Sequence, residues 1–289
     1  MIYTLKNEAL TVQIDTKGAE VRSVKAADGT EFMWQADTRY WGKTAPWMFP
    51  ICGRLADTYY TYRGVRYELP RHGFARDMGF AVTAATDDAL TFTLTANAET
   101  KKVYPFDFSF EITYRLVGNR LDCTLCVANL GTEPMLASFG GHPGFSVPLG
   151  GAGEYDDWKL VFGEPCAPRA VVFTPDMLDS GTRVPFPLQN VQEIPLSRAF
   201  FLHDATFLCD VAPTVTLCSD KSAHAVTLSY GKVPYLGIWS AANGGDFVCV
   251  EPWYGMASLE GVTALEEKGD MREIAVGEAF AAEIALIFH

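Results

Sequence analysis

The chain has no apolar run approaching about 18 residues, and no basic region precedes a long apolar one in Met1 to Glu8. A membrane-spanning helix and a secretory leader are therefore not expected, and the reading is a cytoplasmic protein. Basic residues are in the minority, 23 Lys and Arg against 35 Asp and Glu, and the net charge of -12 excludes the basic footprint that nucleic acid or an anionic membrane requires. Cysteine is sparse. Seven cysteines, an odd number spread from Cys52 to Cys249, do not make a disulfide framework and suit a reducing compartment. The one close pair, Cys123 and Cys126, lies in an alternating stretch where a spacing of three puts the thiols on opposite faces, so it is not a zinc knuckle. Long helical periodicity is nearly absent, which argues against a parallel α/β sheet. A glycine-rich phosphate loop, H-E-x-x-H, G-x-S-x-G and a calcium loop are all missing.

What remains is rich in short alternating or apolar runs separated by turn residues. With 48% hydrophobic and 20% charged residues the chain has enough apolar surface to fold as a globule. Strands are expected at Ala9 to Ile14, Glu20 to Val24, Val65 to Leu69, Phe80 to Ala84, Leu90 to Leu94, Phe108 to Leu116 and Leu121 to Ala128. Later ones fall at Trp158 to Phe162, Thr206 to Asp210, Thr214 to Cys218, Ala225 to Tyr230, Leu236 to Ser240, Phe247 to Glu251 and Phe280 to Phe288. Asn243-Gly244-Gly245-Asp246 predicts a hairpin between two of these. So many strands imply two large packed sheets in an all-β sandwich, read as one domain over residues 1–289. Gly150 to Asp157 reads as a surface loop, and Pro165 to Pro187 as an excursion with little strand pattern and a short helical turn near Pro175 to Leu178.

Three stretches could carry chemistry. In Ser138-Phe139-Gly140-Gly141-His142-Pro143-Gly144-Phe145 a single imidazole stands between glycines and a proline, a shaped loop that aims a group able to trade protons near neutral pH; a strand-end turn is the structural alternative. Glu251 follows Phe247 and Cys249 on one face of an apolar strand, with Pro252 expected to end the ladder; partial desolvation beside Trp253 would make it a stronger base, and a rim ion pair is the alternative. Leu69 to Asp77 presents His72 beside Gly73, with Arg71, Arg76 and Asp77 read as a surface ion cluster. Arg54 either holds an oxygen-rich ligand or pairs with Asp57. His142, His72 and Glu251 are not local neighbours, so a metal site is not expected.

Taken together, Gly53-Arg54, Arg71-His72-Gly73-Phe74-Ala75-Arg76-Asp77, Gly141-His142-Pro143-Gly144-Phe145, His203-Asp204-Ala205 and Val250-Glu251-Pro252-Trp253 resemble, in order and over nearly the whole chain, the aldose 1-epimerase (galactose mutarotase) family, in its LacX-like branch. The resemblance implies a large antiparallel β-sandwich that interconverts sugar anomers without a cofactor. It implies His142 as the acid that protonates the ring oxygen, Glu251 as the base at the anomeric hydroxyl, and His72 as a group that holds the ring-oxygen side. Arg54 and Asp204 match positions that bind sugar hydroxyls. Trp239 and Trp253 are added here as apolar platforms for the sugar, with a core role as the alternative. The run Pro252-Trp253-Tyr254-Gly255 departs from the longer members and puts galactose in doubt as substrate. Arg54, Arg71, Arg76 and Lys43 leave a hexose 6-phosphate open, and a non-catalytic sugar-binding or sugar-sensing protein is the reading from a different class. A small-molecule sugar is the expected partner, and the chain is expected to be a monomer or weak homodimer.

Overall fold

The computed structural model describes residues 1–289 and is built almost wholly from antiparallel strands. The larger sheet has nine strands in the order Glu193–Pro195, Lys159–Phe162, Thr214–Cys218, Val226–Ser229, Ala279–Phe288, Arg120–Asn129, Phe108–Val117, Ala89–Thr95 and Ala81–Ala85. The second, of eight strands, runs Asp179–Pro185, Arg169–Phe173, Thr206–Cys209, Tyr235–Trp239, Phe247–Trp253, Gly140–Gly141 and Trp47–Met48, with Gly144–Ser146 also paired to Phe247–Trp253. A three-stranded sheet, Ile2–Lys6, Leu10–Asp15 and Glu20–Ala26, adds to one side. No helix is long and apolar enough to cross a membrane.

Alternation decides which faces meet. Along Phe108–Val117 and Arg120–Asn129 every second residue is buried, so Phe108, Phe110, Ile112 and Tyr114 join Leu121, Cys123 and Leu125 on one inner face. Phe49, next to the last strand of the smaller sheet, stacks on Phe110 with ring centroids 4.8 Å apart. The Tyr114 hydroxyl, at the centre of this layer, accepts from Trp47 Nε1 and donates to the Ala19 carbonyl, so neither polar atom is left bare in the core. Cys123 is buried and Cys126, three residues on, is not, as expected for opposite faces; all seven cysteines are free thiols.

Most expected strands occur with ends displaced by a residue or two. The excursion Pro165 to Pro187 is instead a paired hairpin, Arg169–Phe173 with Asp179–Pro185, and Pro175 to Leu178 is its non-helical turn. Its outer strand, Asp179–Pro185, is the sheet edge and keeps most side chains exposed, and its inner strand buries only Val171, so the pairing leaves no apolar alternation in the sequence. The strand of Glu251 also runs further than expected, through Pro252 to Trp253. Val250 N donates to the Pro143 carbonyl and Tyr254 N to the Phe139 carbonyl; Pro252 sits between them, opposite the His142 loop, where the neighbouring ladder is interrupted. A missing N–H therefore removes little there.

Candidate active site

Sheet register brings the two principal side chains together. Gly140 pairs with Trp253 and Gly144 with Cys249, so both arms of the His142 loop are laid on the strand that carries Glu251. The same register continued through the loop sets His142 opposite Glu251. Their side chains meet, His142 Nε2 to Glu251 Oε2, at 3.3 Å. The loop glycines serve close packing more than unusual dihedrals. Gly140, Gly141 and Gly144 all keep ordinary φ values, but a Cβ on Gly141 would come within 2.9 Å of the Trp47 ring.

Glu251 is 1% exposed, and burial pushes its carboxyl well above the usual range. Oε2 accepts from Trp253 Nε1 at 3.1 Å, which opposes that rise, and Asp204 reinforces it; Oε1 has no partner. His142 is pushed down to about 3, chiefly by burial, with the Arg76 charge acting in the same direction. Each group is driven toward its neutral form, so one proton between them rests on the carboxyl and leaves Nε2 as an acceptor. The His142 ring lies against Trp41, with centroids 4.8 Å apart and planes at 26°, and meets Trp239 edge-on at 5.6 Å. These contacts fix the plane of the imidazole.

His72 is held differently. Its backbone is left-handed, with φ 68°, and its N–H donates to the Gly53 carbonyl at 2.8 Å. Gly53 N in return donates to His72 Nδ1 at 3.2 Å, so the neutral ring carries its proton on Nε2. Burial, His142 and Arg76 all hold His72 well below the ordinary histidine range. It is thus a neutral N–H donor, with its ring 5.9 Å from that of His142 and 5.3 Å from Trp253. The following Gly73, at φ 69°, cannot be replaced without collision, because a Cβ there would stand 2.2 Å from the Phe49 carbonyl oxygen.

His142, Glu251 and His72 open onto a cavity of about 520 Å³ that Arg54, Asp204, Trp239 and Trp253 also line. All seven residues singled out from the sequence converge there. Their surroundings differ in detail from the expectations. Arg54 does not pair with Asp57; its Nη1 donates to the Asp176 carbonyl at 3.2 Å. Trp253 packs on Phe207 at 4.2 Å and bonds Glu251, so it is the core residue that orients the carboxyl, whereas Trp239 is the more exposed wall. Arg71 and Arg76, read as surface charges, line the cavity, while Asp77 does form the surface cluster with Lys43 at 2.7 Å and Lys17 at 4.0 Å. Sequence reasoning missed Trp41, Tyr40, Phe173 and Met177, whose segments show no strand pattern pointing to a site. One set of atoms offers metal-ligand chemistry, from His142, Cys249 and Glu251 within 4.8 Å of one another, and burial holds the Cys249 thiol protonated.

A buried carboxyl and two buried imidazoles on one polar, aromatic-walled cavity can move protons at adjacent oxygens of a small hydroxylated molecule. The chain is similar to known proteins over nearly its whole length. The LacX proteins of Lactococcus lactis subsp. lactis, plasmid and chromosomal, are each 36% identical over 285 residues, 95% of both chains. Among solved structures, a galactose mutarotase related enzyme from Lactobacillus acidophilus is 36% identical with a TM-score of 0.95, over 100% of this chain and 97% of that one. A galactose mutarotase-like protein from Lactobacillus casei is 28% identical with a TM-score of 0.92, over the full length of both. The family model for aldose 1-epimerase matches residues 1–264, and with it the sandwich, the cavity and the relatives converge on one assignment: the chain belongs to the aldose 1-epimerase family of sugar epimerases.

Proposed function

We propose that the protein is a mutarotase that interconverts the α and β anomers of an aldohexose by general acid and base catalysis. The observation that carries this reading is the 3.3 Å approach of His142 Nε2 and Glu251 Oε2, both buried at the cavity wall. Ring oxygen and anomeric hydroxyl are bonded to the same carbon, so an acid and a base that serve them must stand within a few ångströms of each other. Breaking the C1–O5 bond leaves charge on O5 unless a proton arrives there, and leaves an excess proton at O1 unless one departs. With sugar bound, the shared proton passes from the Glu251 carboxyl to His142 Nε2 across their 3.3 Å contact; in the opening step the carboxylate so formed takes the O1 proton and His142 delivers its proton to O5, while His72 Nε2–H donates to O5. Rotation about C1–C2 presents the other carbonyl face, and the same groups act in reverse. The pair ends each turnover with the proton it started with, and binding supplies the rest by placement. Arg54 and Asp204 hold ring hydroxyls, and Trp239 offers an apolar face to the ring.

Polarimetry on freshly dissolved α-glucose and α-galactose tests this. Accelerated relaxation that Glu251→Gln and His142→Asn each reduce by about 10²–10⁴-fold, with melting curves still cooperative, supports it. Binding without acceleration marks a sugar-binding protein instead. Turnover lost in chelator and restored by metal would assign the work to an ion on His142, Cys249 and Glu251.

A further inference from the structure

The proton relay asks His142 to carry a positive charge for part of each turnover, in a place that opposes it. Burial, and after it the Arg76 guanidinium, hold the imidazole toward its neutral form. The rings around it offer different help. Trp239 and His72 meet the imidazole nearly perpendicular, at 81° and 89°, whereas Trp41 lies face to face, 4.8 Å away with planes at 26°. The face of an indole is its electron-rich side and attracts a cation within about 6 Å of the ring centre, more strongly where water is kept out. Trp41 is half-buried and lines the cavity beside the group it stacks on.

The indole is seated by neighbours on several elements. Its segment has no strand of its own, yet Trp41 N donates to the Asp37 carbonyl at 2.9 Å and the Trp41 carbonyl accepts from Trp34 Nε1 at 2.8 Å. Phe247 stacks on the indole, with centroids 5.5 Å apart and planes at 18°. Asn243 Nδ2 donates to the Arg39 carbonyl at 2.8 Å, which ties the segment to the turn before Phe247. Gly144, two residues after His142, completes the seat, since a Cβ there would stand 2.8 Å from Trp41 Cζ3. The loop that aims the imidazole thus also leaves the space in which the indole covers it.

We infer that Trp41 is a positioning residue that works through His142 by charge as well as by shape: its indole face steadies the imidazolium formed when the Glu251 proton crosses to Nε2. This rests on the mutarotase reading. The stack is made in both charge states of His142, but the added attraction exists only while the ring is charged. It therefore lowers the barrier to ring opening without tightening the hold on the sugar.

The test must weaken the face of the indole and keep its outline. Tryptophan carrying one, two or three fluorines on its six-membered ring, placed at position 41 alone by nonsense suppression, does this stepwise. Polarimetry on α-glucose and α-galactose, corrected for the protein-free rate, is expected to show log kcat falling with each fluorine, by about tenfold over the series, with KM steady. Trp41→Phe, a smaller and weaker face, should fall between the native protein and Trp41→Leu, with melting curves recorded for both. The fluorinated proteins carry the test if the leucine variant disturbs folding. A kcat indifferent to fluorine overturns this inference and leaves the mutarotase standing, because a ring that only fixes the imidazole plane would not feel the change. A fall carried by KM alone places the indole against the sugar and also overturns it. No acceleration of either sugar by the native protein removes the mutarotase reading and this inference with it.

Discussion

Glu251 is asked to be both buried and ionisable, and its two oxygens show how that is met: one accepts the Trp253 indole N–H, the other has no partner. A carboxyl whose pKa is raised by folding binds its proton more tightly in the folded than in the unfolded chain. The native state is therefore penalised as pH rises above the unfolded value near 4.5, until the folded value is passed. Glu251→Gln should raise the melting temperature at pH 8, by the equivalent of about 1–3 kcal/mol, and the gain should vanish below pH 4.5; a gain equal at both pH values would contradict the burial argument. His142, lowered to about 3, acts with the opposite sign, its penalty lifting as pH rises from about 3 through 6.5. In the proposed mechanism the same proton sets the rate. With one proton on the pair, kcat/KM should hold across mildly acidic pH and fall on the alkaline side as the raised Glu251 carboxyl loses it. An alkaline limb that persists unchanged in Glu251→Gln would refute this. At this scale the sequence was informative where chemistry is rare: His142, His72 and Glu251 stand out because an imidazole between glycines and a carboxyl in an apolar strand each need explaining. Trp41 was not legible, since its stacking on His142 depends on a non-strand segment folding across from a distant loop.

Among the elements, the loop of His142 and the loop of His72 are fixed by different means. The first is pinned on both sides to Phe247–Trp253, so its position follows from strand register. The second depends on two consecutive left-handed residues, His72 and Gly73, with backbone bonds to Gly53 and Phe49. Gly73→Ala brings a Cβ onto the Phe49 carbonyl and should cost about 2 kcal/mol or more, with a loss of turnover, since His72 must move with it. Thermal melts and polarimetry on one preparation check both; unchanged stability would mean the turn can relax without cost. Half-buried strands such as Phe108–Val117 were readable because one face meets the core and the other meets water. The hairpin Arg169–Phe173 with Asp179–Pro185 was not, because its outer strand is exposed along most of its length and held by backbone bonds that any sequence can make, and its inner strand buries only Val171. Arg71 and Arg76 were read only in part: Arg76 does stand 3.7 Å from Asp77 and Arg71 is exposed, but both also line the cavity, and a charged pair beside an aspartate looks alike on open surface and on a cavity wall.

Over the whole molecule, the last strand is also a central one. Ala279–Phe288 lies between Val226–Ser229 and Arg120–Asn129, and so joins the two halves of the nine-stranded sheet. It falls outside the 1–264 span that the family model matches, yet Ile284, Leu286 and Phe288 are core residues. Removing residues 279–289 should therefore abolish cooperative unfolding, where trimming an edge strand would only weaken it; circular dichroism and melting of the truncated chain test this. The pairing of Arg120–Asn129 with Ala279–Phe288 closes a separation of more than half the chain, which makes it one of the slower contacts to form. During synthesis on the ribosome, Phe247–Trp253 can emerge and pair with Gly144–Ser146 while the larger sheet still lacks its middle. Until Ala279–Phe288 leaves the exit tunnel, Arg120–Asn129 and Val226–Ser229 present two open edges to the cell, and any chaperone that binds the nascent chain should find it there.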